Sequence, residues 1–160
     1  MGQSVGERVR TSWNRLSRVP GGKKLFTAMV GRMAPYTGTI GATCVELEPG
    51  YAKVRLRDRK KVRNHLNSVH AIALANLGEL ATGLAMMASL PEDARGILAG
   101  IEMTYHKKAR GTLHAECRCD PPSTSETMDY RVTGEIFDES GDLVTTCTAL
   151  WRIGPRKPRA

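Results

Sequence analysis

Apolar side chains at Val9, Trp13 and Leu16 repeat with helical spacing between residues 5 and 19, and Pro20-Gly21-Gly22 ends the repeat. Leu25, Met29 and Met33 resume it until Pro35. The pattern predicts two amphipathic helices over one edge of a domain, their arginines and lysines in solvent. From Tyr36 the period shortens to two. "TGTIGATCVELEPGYAKVRLRD" reads as a strand, a turn at Pro49-Gly50 and a second strand, in which Val54 and Leu56 alternate with Lys53, Arg55 and Arg57. A polar stretch holding Asn64, Asn67, Ser68 and His70 leads into a segment, Ala71 to Leu90, that is apolar on almost every side. Asn76, Glu79 and two glycines interrupt it, which predicts a helix buried in a protein core rather than a membrane span. Four more strands are expected at about 97–107, 112–120, 128–138 and 143–153, with turns at Arg110-Gly111, Pro121-Pro122 and Ser140-Gly141.

Antiparallel strands interrupted once by a buried helix predict an α+β fold in which the sheet wraps around that helix. The expected organisation is a helical extension over 1–34, one domain over 35–153 and a basic, frayed tail over 154–160. A chain of 160 residues suits a single core. Aromatics make up only 5%, so that core must rest on Leu, Val, Ala, Ile and Met. The net charge of +8 points to anionic partners: nucleic acid, lipid headgroups or phosphorylated small molecules. The run through Arg59, Lys60, Lys61 and Arg63 is either a solvated face or a seat for phosphates. Its lack of stacking aromatics argues against nucleic acid. Cys44, Cys117, Cys119 and Cys147 form no C-x-x-C pair and read as small buried residues; with no apolar secretory core near residue 1, a cytoplasmic protein is expected. Four histidines without matching acid or cysteine spacing predict no metal site.

Glu79 is the residue that a purely structural helix does not need. It shares one helix face with Asn76 and Gly83. An ionised carboxylate in dry surroundings is costly, so that face is open to water, or Glu79 is paired with one of the arginines, or its proton affinity is raised. Free backbone N–H groups and the positive end of the helix dipole gather near His70 and Ala71. A carboxylate, an amide side chain and a helix N-terminus can together carry acyl transfer to water. Glu79 would act as base or nucleophile, Asn64 would position, and the N–H group would polarise the carbonyl.

At these residues the chain resembles the hotdog-fold acyl-CoA thioesterases, in particular the phenylacetyl-CoA-thioesterase-like branch. That branch has an asparagine, a His-Gly-Gly six positions on, and an acid nine beyond the histidine. Asn64, His70 and Glu79 fall at those intervals, and "MTYHKKARGTLHAEC" resembles the family's strand–loop–strand. The likeness spans roughly Tyr36 to Ile153. It departs at His70-Ala71-Ile72, where the family has His-Gly-Gly, and at Leu98, where some members have a serine. The resemblance implies a hotdog fold with extra N-terminal helices and a homodimer, or dimer of dimers, with sites at the dimer interface. The helix start of one subunit, including the Ala71 N–H, would face Glu79 of the other. The acyl group would lie in a tunnel lined by Leu80, Leu84 and Met87. The phosphates of coenzyme A would rest on a basic rim drawn from Arg59, Lys60, Lys61, Arg63, Lys107, Lys108 and Arg110. Coenzyme A enters only as part of the substrate, and no cofactor, nucleic acid or integral membrane contact is implied. The expected activity is hydrolysis of acyl-CoA or acyl-carrier thioesters. The alternative is a non-catalytic hotdog dimer that binds acyl-CoA or fatty acyl groups.

Overall fold

A computed structural model describes residues 3–156. Helices α1 (Val5–Leu16), α2 (Gly22–Met33) and α3 (Pro35–Gly38) precede strands β1 (Thr43–Glu48) and β2 (Tyr51–Leu56). Helix α4 (Ala71–Met87) follows, then β3 (Ala94–Tyr105), β4 (Leu113–Arg118), β5 (Met128–Phe137) and β6 (Leu143–Pro155). The six strands form one antiparallel sheet in the order β1-β2-β4-β5-β6-β3. This is the hotdog fold: the sheet curves around α4, which is buried along nearly its whole length.

The inward strand positions alternate as the sequence pattern requires. Val54 and Leu56 on β2, Leu113 and Ala115 on β4, Val132 and Ile136 on β5, and Ala149 and Ile153 on β6 are all buried. Against them lie Leu77, Ala81, Ala85 and Met86 of α4. The close approach of helix to sheet depends on Gly78. A Cβ there would stand 2.6 Å from the Cβ of Cys147 on β6, and that atom cannot swing away. Gly78→Ala gains helix propensity but overpacks this seam, so a net loss of about 1–2 kcal/mol is expected, seen as a lowered Tm. An unchanged or higher Tm would mean that α4 rides farther from β6.

The N-terminal helices pack against α4 and the β1 edge of the sheet. Trp13 of α1 meets Phe26 of α2 edge to face at 5.1 Å. Arg10 donates to the carbonyls of Ala88 and Leu90, satisfying acceptors at the C-terminal end of α4. Pro35 stops α2 as expected, yet it also begins α3, because its fixed φ suits a first helical position.

The two sheet edges differ. On β1 the Cys44 N–H donates to Thr27 Oγ1 and the Val45 carbonyl accepts from Lys23 Nζ, so α2 covers that edge. Strand β3 is twelve residues long at the other edge, and its Ile97, Ile101 and Tyr105 are exposed. The strand starts at Ala94, earlier than its sequence pattern indicates. At the C-terminus the expected frayed segment begins too early: Gly154 and Pro155 belong to β6, and the Arg156 N–H donates to the Asp93 carbonyl at 2.7 Å. The remaining tail, 157–160, lies outside the described residues. No helix among the described residues is long and apolar enough to cross a membrane.

Candidate active site

The loop before α4 is stitched by its own side chains. Asn64 Oδ1 accepts from the Leu66 N–H, the Ser68 N–H and the Ser68 hydroxyl at 2.9–3.3 Å. Its amide oxygen is therefore committed to shaping the loop. Backbone bonds from His70 to Val62 and from Val69 to Ala109 fix the loop against its neighbours. His70 caps α4: its Nδ1 accepts from the Ile72 N–H at 3.1 Å. The N–H of Ala71, the first helical residue, has no partner among the described residues. The Tyr105 hydroxyl donates to the Ala71 carbonyl at 3.1 Å and ties the helix start to β3.

Two turns along α4, Glu79 is half-buried. Burial pushes its proton affinity above the ordinary glutamate value of 4.5, and a hydrogen bond from Thr37 Oγ1 at 3.4 Å opposes the rise. Thr37 belongs to α3. The same short helix accepts a bond from Asn76 Nδ2 to the Tyr36 carbonyl at 3.1 Å. Asn76 is only 6% exposed, and its Oδ1 is buried without a partner among the described residues. So among the described residues no arginine pairs with Glu79; the Thr37 hydroxyl does. The grouping of Asn76 and Glu79 on one face is legible in the helical period. The part of α3 is not, because the partner residues lie about forty positions upstream.

A cleft of about 830 Å³ opens beside this face, between α2, α3 and the first two strands. Leu80 and Thr37 lie at the helix side of it. Its rim carries Lys24, Arg32, Arg55, Arg57 and Arg59. Arg59 also donates to the Ile40 carbonyl at 2.6 Å, pinning the segment that precedes β1. Of the seven cations proposed for phosphate contact, Arg59 alone lines this cleft. Arg63 and Arg110 line a second hollow of about 460 Å³ that Arg57 also borders and that holds Asp58 and Glu139. There Arg63 is paired with Asp58 at 2.6 Å, and the bond holds the aspartate below the usual carboxylate range. Lys107 is bound by both Asp138 and Asp142 at 2.7 Å. Lys60 and Lys61 lie in a short 3-10 turn, and they and Lys108 are surface residues outside both hollows. Leu84 is buried in the core, while Met87 packs at the Gly96 end of β3; neither lines the cleft. Lys24, Arg32, Arg55 and Arg57 are rim residues that sequence reasoning missed. The i, i+2, i+4 spacing of Arg55, Arg57 and Arg59 was the available signal. Among the described residues no group of three His, Cys, Asp or Glu could hold a metal ion.

Solved structures share this fold. The structural-genomics protein APC5556 is 30% identical, with a TM-score of 0.79 over 92% of this chain and 99% of its own. PA5026 of Pseudomonas aeruginosa, described as a probable thioesterase, is 24% identical with a TM-score of 0.71, covering 89% and 96%. A variant of the thioesterase SAV0944 of Staphylococcus aureus is 17% identical with a TM-score of 0.67, covering 76% and 99%. No curated protein matches the chain. The chain belongs to the family described as Domain of unknown function (DUF4442), which it matches over residues 22–153.

Proposed function

We propose that the protein hydrolyses acyl thioesters, with Glu79 as general base or nucleophile and the start of α4 as the oxyanion site. The observation that carries this reading is Glu79 itself: a half-buried carboxylate with raised proton affinity, met among the described residues by a hydroxyl rather than a cation, on the helix whose first N–H has no partner among those residues. The names of the fold neighbours agree with it.

One chain does not bring the two halves of this chemistry together. Ala71 and Glu79 are eight residues apart on one helix, about 12 Å along its axis. A single thioester carbonyl does not span that gap. We therefore assign the site to a homodimer in which the α4 start of one protomer faces Glu79 of its partner. The open edge of β3, with Ile97, Ile101 and Tyr105 exposed, is the surface suited to pairing two copies, since an uncovered apolar edge of this length is otherwise an aggregation hazard.

The test is thiol release from a panel of acyl-CoAs, short to long and aromatic. Release establishes the activity and ranks the acyl groups. Binding without release would leave a hotdog dimer that holds thioesters and does not cleave them.

The pH profile carries a second test. The Thr37 hydroxyl lowers the proton affinity of Glu79, so Thr37→Val removes that opposition and lets burial raise it further. The acid limb of kcat/KM is expected to move to higher pH in the variant. A limb that stays in place would separate Thr37 from the ionisation that governs turnover.

A further inference from the structure

The positive charge of this chain is unevenly placed. Between Gln3 and Tyr36 stand seven lysines and arginines against one acid, Glu7, so the helical extension carries +6 of the net +8 and the rest of the chain is close to neutral. The same extension holds apolar side chains that the fold leaves in water: Val19 is 49% exposed, Leu25 59% and Met33 40%. They belong to one surface. A Cβ at Gly22 would stand 2.7 Å from Val19 Cγ2, so Val19 lies over the first turn of α2, and Leu25 is one turn further on. Leu25, Met29 and Met33 follow one row of α2 at i, i+4 and i+8; Met29 leans on the core and the other two do not. Exposed cations flank them. Arg18 and Lys24 precede the two apolar residues at the corner, and Arg32 is two turns from Leu25 on the same face. The packing of the extension does not account for this row, because its inward side is already filled by Val9, Phe26 and Val30. A helix with one buried face ordinarily turns a polar face to water, and α2 turns a second apolar row outward.

We propose that the corner of the helical extension docks on an anionic lipid surface. Val19 and Leu25 enter the interface, and Arg18, Lys24 and Arg32 meet the headgroup phosphates. The combination of exposed apolar side chains with lysines and arginines is what such a surface selects: burial of apolar area holds the protein at the interface, and the negative surface potential draws each cation toward it. The contact is peripheral, since no helix among the described residues is long and apolar enough to cross a bilayer. Charge decides against a second copy of the chain as the occupant, because two surfaces that each carry most of a +6 segment repel one another. Nucleic acid offers the cations a partner but gives Val19, Leu25 and Met33 nothing to bury against. The aromatic that could stack on a base, Trp13, is engaged edge to face with Phe26. The α2–β2 cleft opens beside the docking face, for Lys24, Ala28 and Arg32 of α2 line its wall. A docked protein therefore brings the mouth of that cleft to the membrane. The inference stands apart from the hydrolase reading and uses neither Glu79 nor the start of α4.

The experiment is flotation of the full-length protein with vesicles of phosphatidylcholine, alone or mixed with phosphatidylglycerol, at low and moderate salt. The wild type is expected to float with the mixed vesicles, less as salt rises, and to stay behind with phosphatidylcholine alone. Val19→Ser/Leu25→Ser keeps every charge and is expected to lose about tenfold or more in partitioning, as withdrawal of two apolar side chains from the interface implies. Arg18→Gln/Lys24→Gln is expected to lose about as much at low salt. Arg95→Gln/Arg131→Gln removes the same charge from exposed strand positions and is expected to float like wild type. All of these positions are exposed, so the Tm should hold throughout. Leu25→Trp supplies a gain-of-signal check: its emission is expected to shift to shorter wavelength on the mixed vesicles. No flotation by the wild type would overturn the proposal. Flotation unchanged in Val19→Ser/Leu25→Ser, or an unshifted Leu25→Trp, would reduce it to charge adsorption. Equal losses in the strand variant would reduce it to net charge. Retention on DNA at the same moderate salt, lost in Arg18→Gln/Lys24→Gln and kept in Val19→Ser/Leu25→Ser, would give the cations to nucleic acid instead. A smaller assembly of Val19→Ser/Leu25→Ser in solution would make the row an interface between copies.

Discussion

Replacing Glu79 by glutamine is expected to lower kcat/KM for acyl-CoA hydrolysis by about a thousandfold, within the range that positioned bases contribute. The amide keeps the size of the side chain and can still meet the Thr37 hydroxyl, but it cannot take a proton or attack a carbonyl. The same substitution is expected to raise the Tm at neutral pH. Burial raises the proton affinity of Glu79 in the folded state, so between the unfolded value and the folded one the native protein holds more protons. Stability contributed by this group is therefore present at low pH and lost as pH rises through that window. Glutamine removes the penalty, and its advantage should vanish toward acid pH, where both proteins carry an uncharged group. The two readouts separate the alternatives. A fall in activity with a rise in Tm is the mark of a carboxylate kept in a costly place for its chemistry. Unchanged activity with a rise in Tm would remove Glu79 from the mechanism. A fall in Tm would make it a structural carboxylate instead.

The fold was legible because the periods are clean. Val9, Trp13 and Leu16 repeat as a helix, Val54 and Leu56 alternate with cations as a half-wet strand, and the apolar run after His70 lacks a wet face, as a helix enclosed by a sheet should. What escaped depends on long-range partners. Pro35 signals an ending, and nothing local says that it also starts the short helix that places Thr37 on Glu79. Asn64 has the spacing expected of a positioning amide, but its oxygen goes to Leu66 and Ser68, because a loop this tight must satisfy its own backbone. The cations of 59–63 and 107–110 look alike in sequence. Only the fold shows that Asp58, Asp138 and Asp142 come to meet two of them, while Arg55 faces an acid-free cleft. Sequence patterning reports which face a residue takes, and charge pairing is decided across elements.

The backbone half of the site admits a test of its own, since Ala71→Pro is expected to lower kcat by about a hundredfold to a thousandfold, the cost of removing one oxyanion donor. Proline is usually a poor probe because it breaks helices, but Ala71 is the first residue of α4, where proline's fixed φ suits the helix and no intrahelical bond is lost. Proline also restricts the residue before it to extended backbone, and His70 already has φ −64° and ψ 139°. The Ala71 carbonyl, which accepts from the Tyr105 hydroxyl, is left in place. What the substitution deletes is the N–H and little else, so helicity and Tm should hold while turnover falls. Ala71→Gly is the matching control: it keeps the N–H, and it should stay active. Equal losses in both variants would point to disturbance of the helix start rather than to a missing donor. An active proline variant would take the oxyanion site away from Ala71. The neighbouring Ile72 N–H could then serve only by leaving His70 Nδ1, the bond that caps the helix.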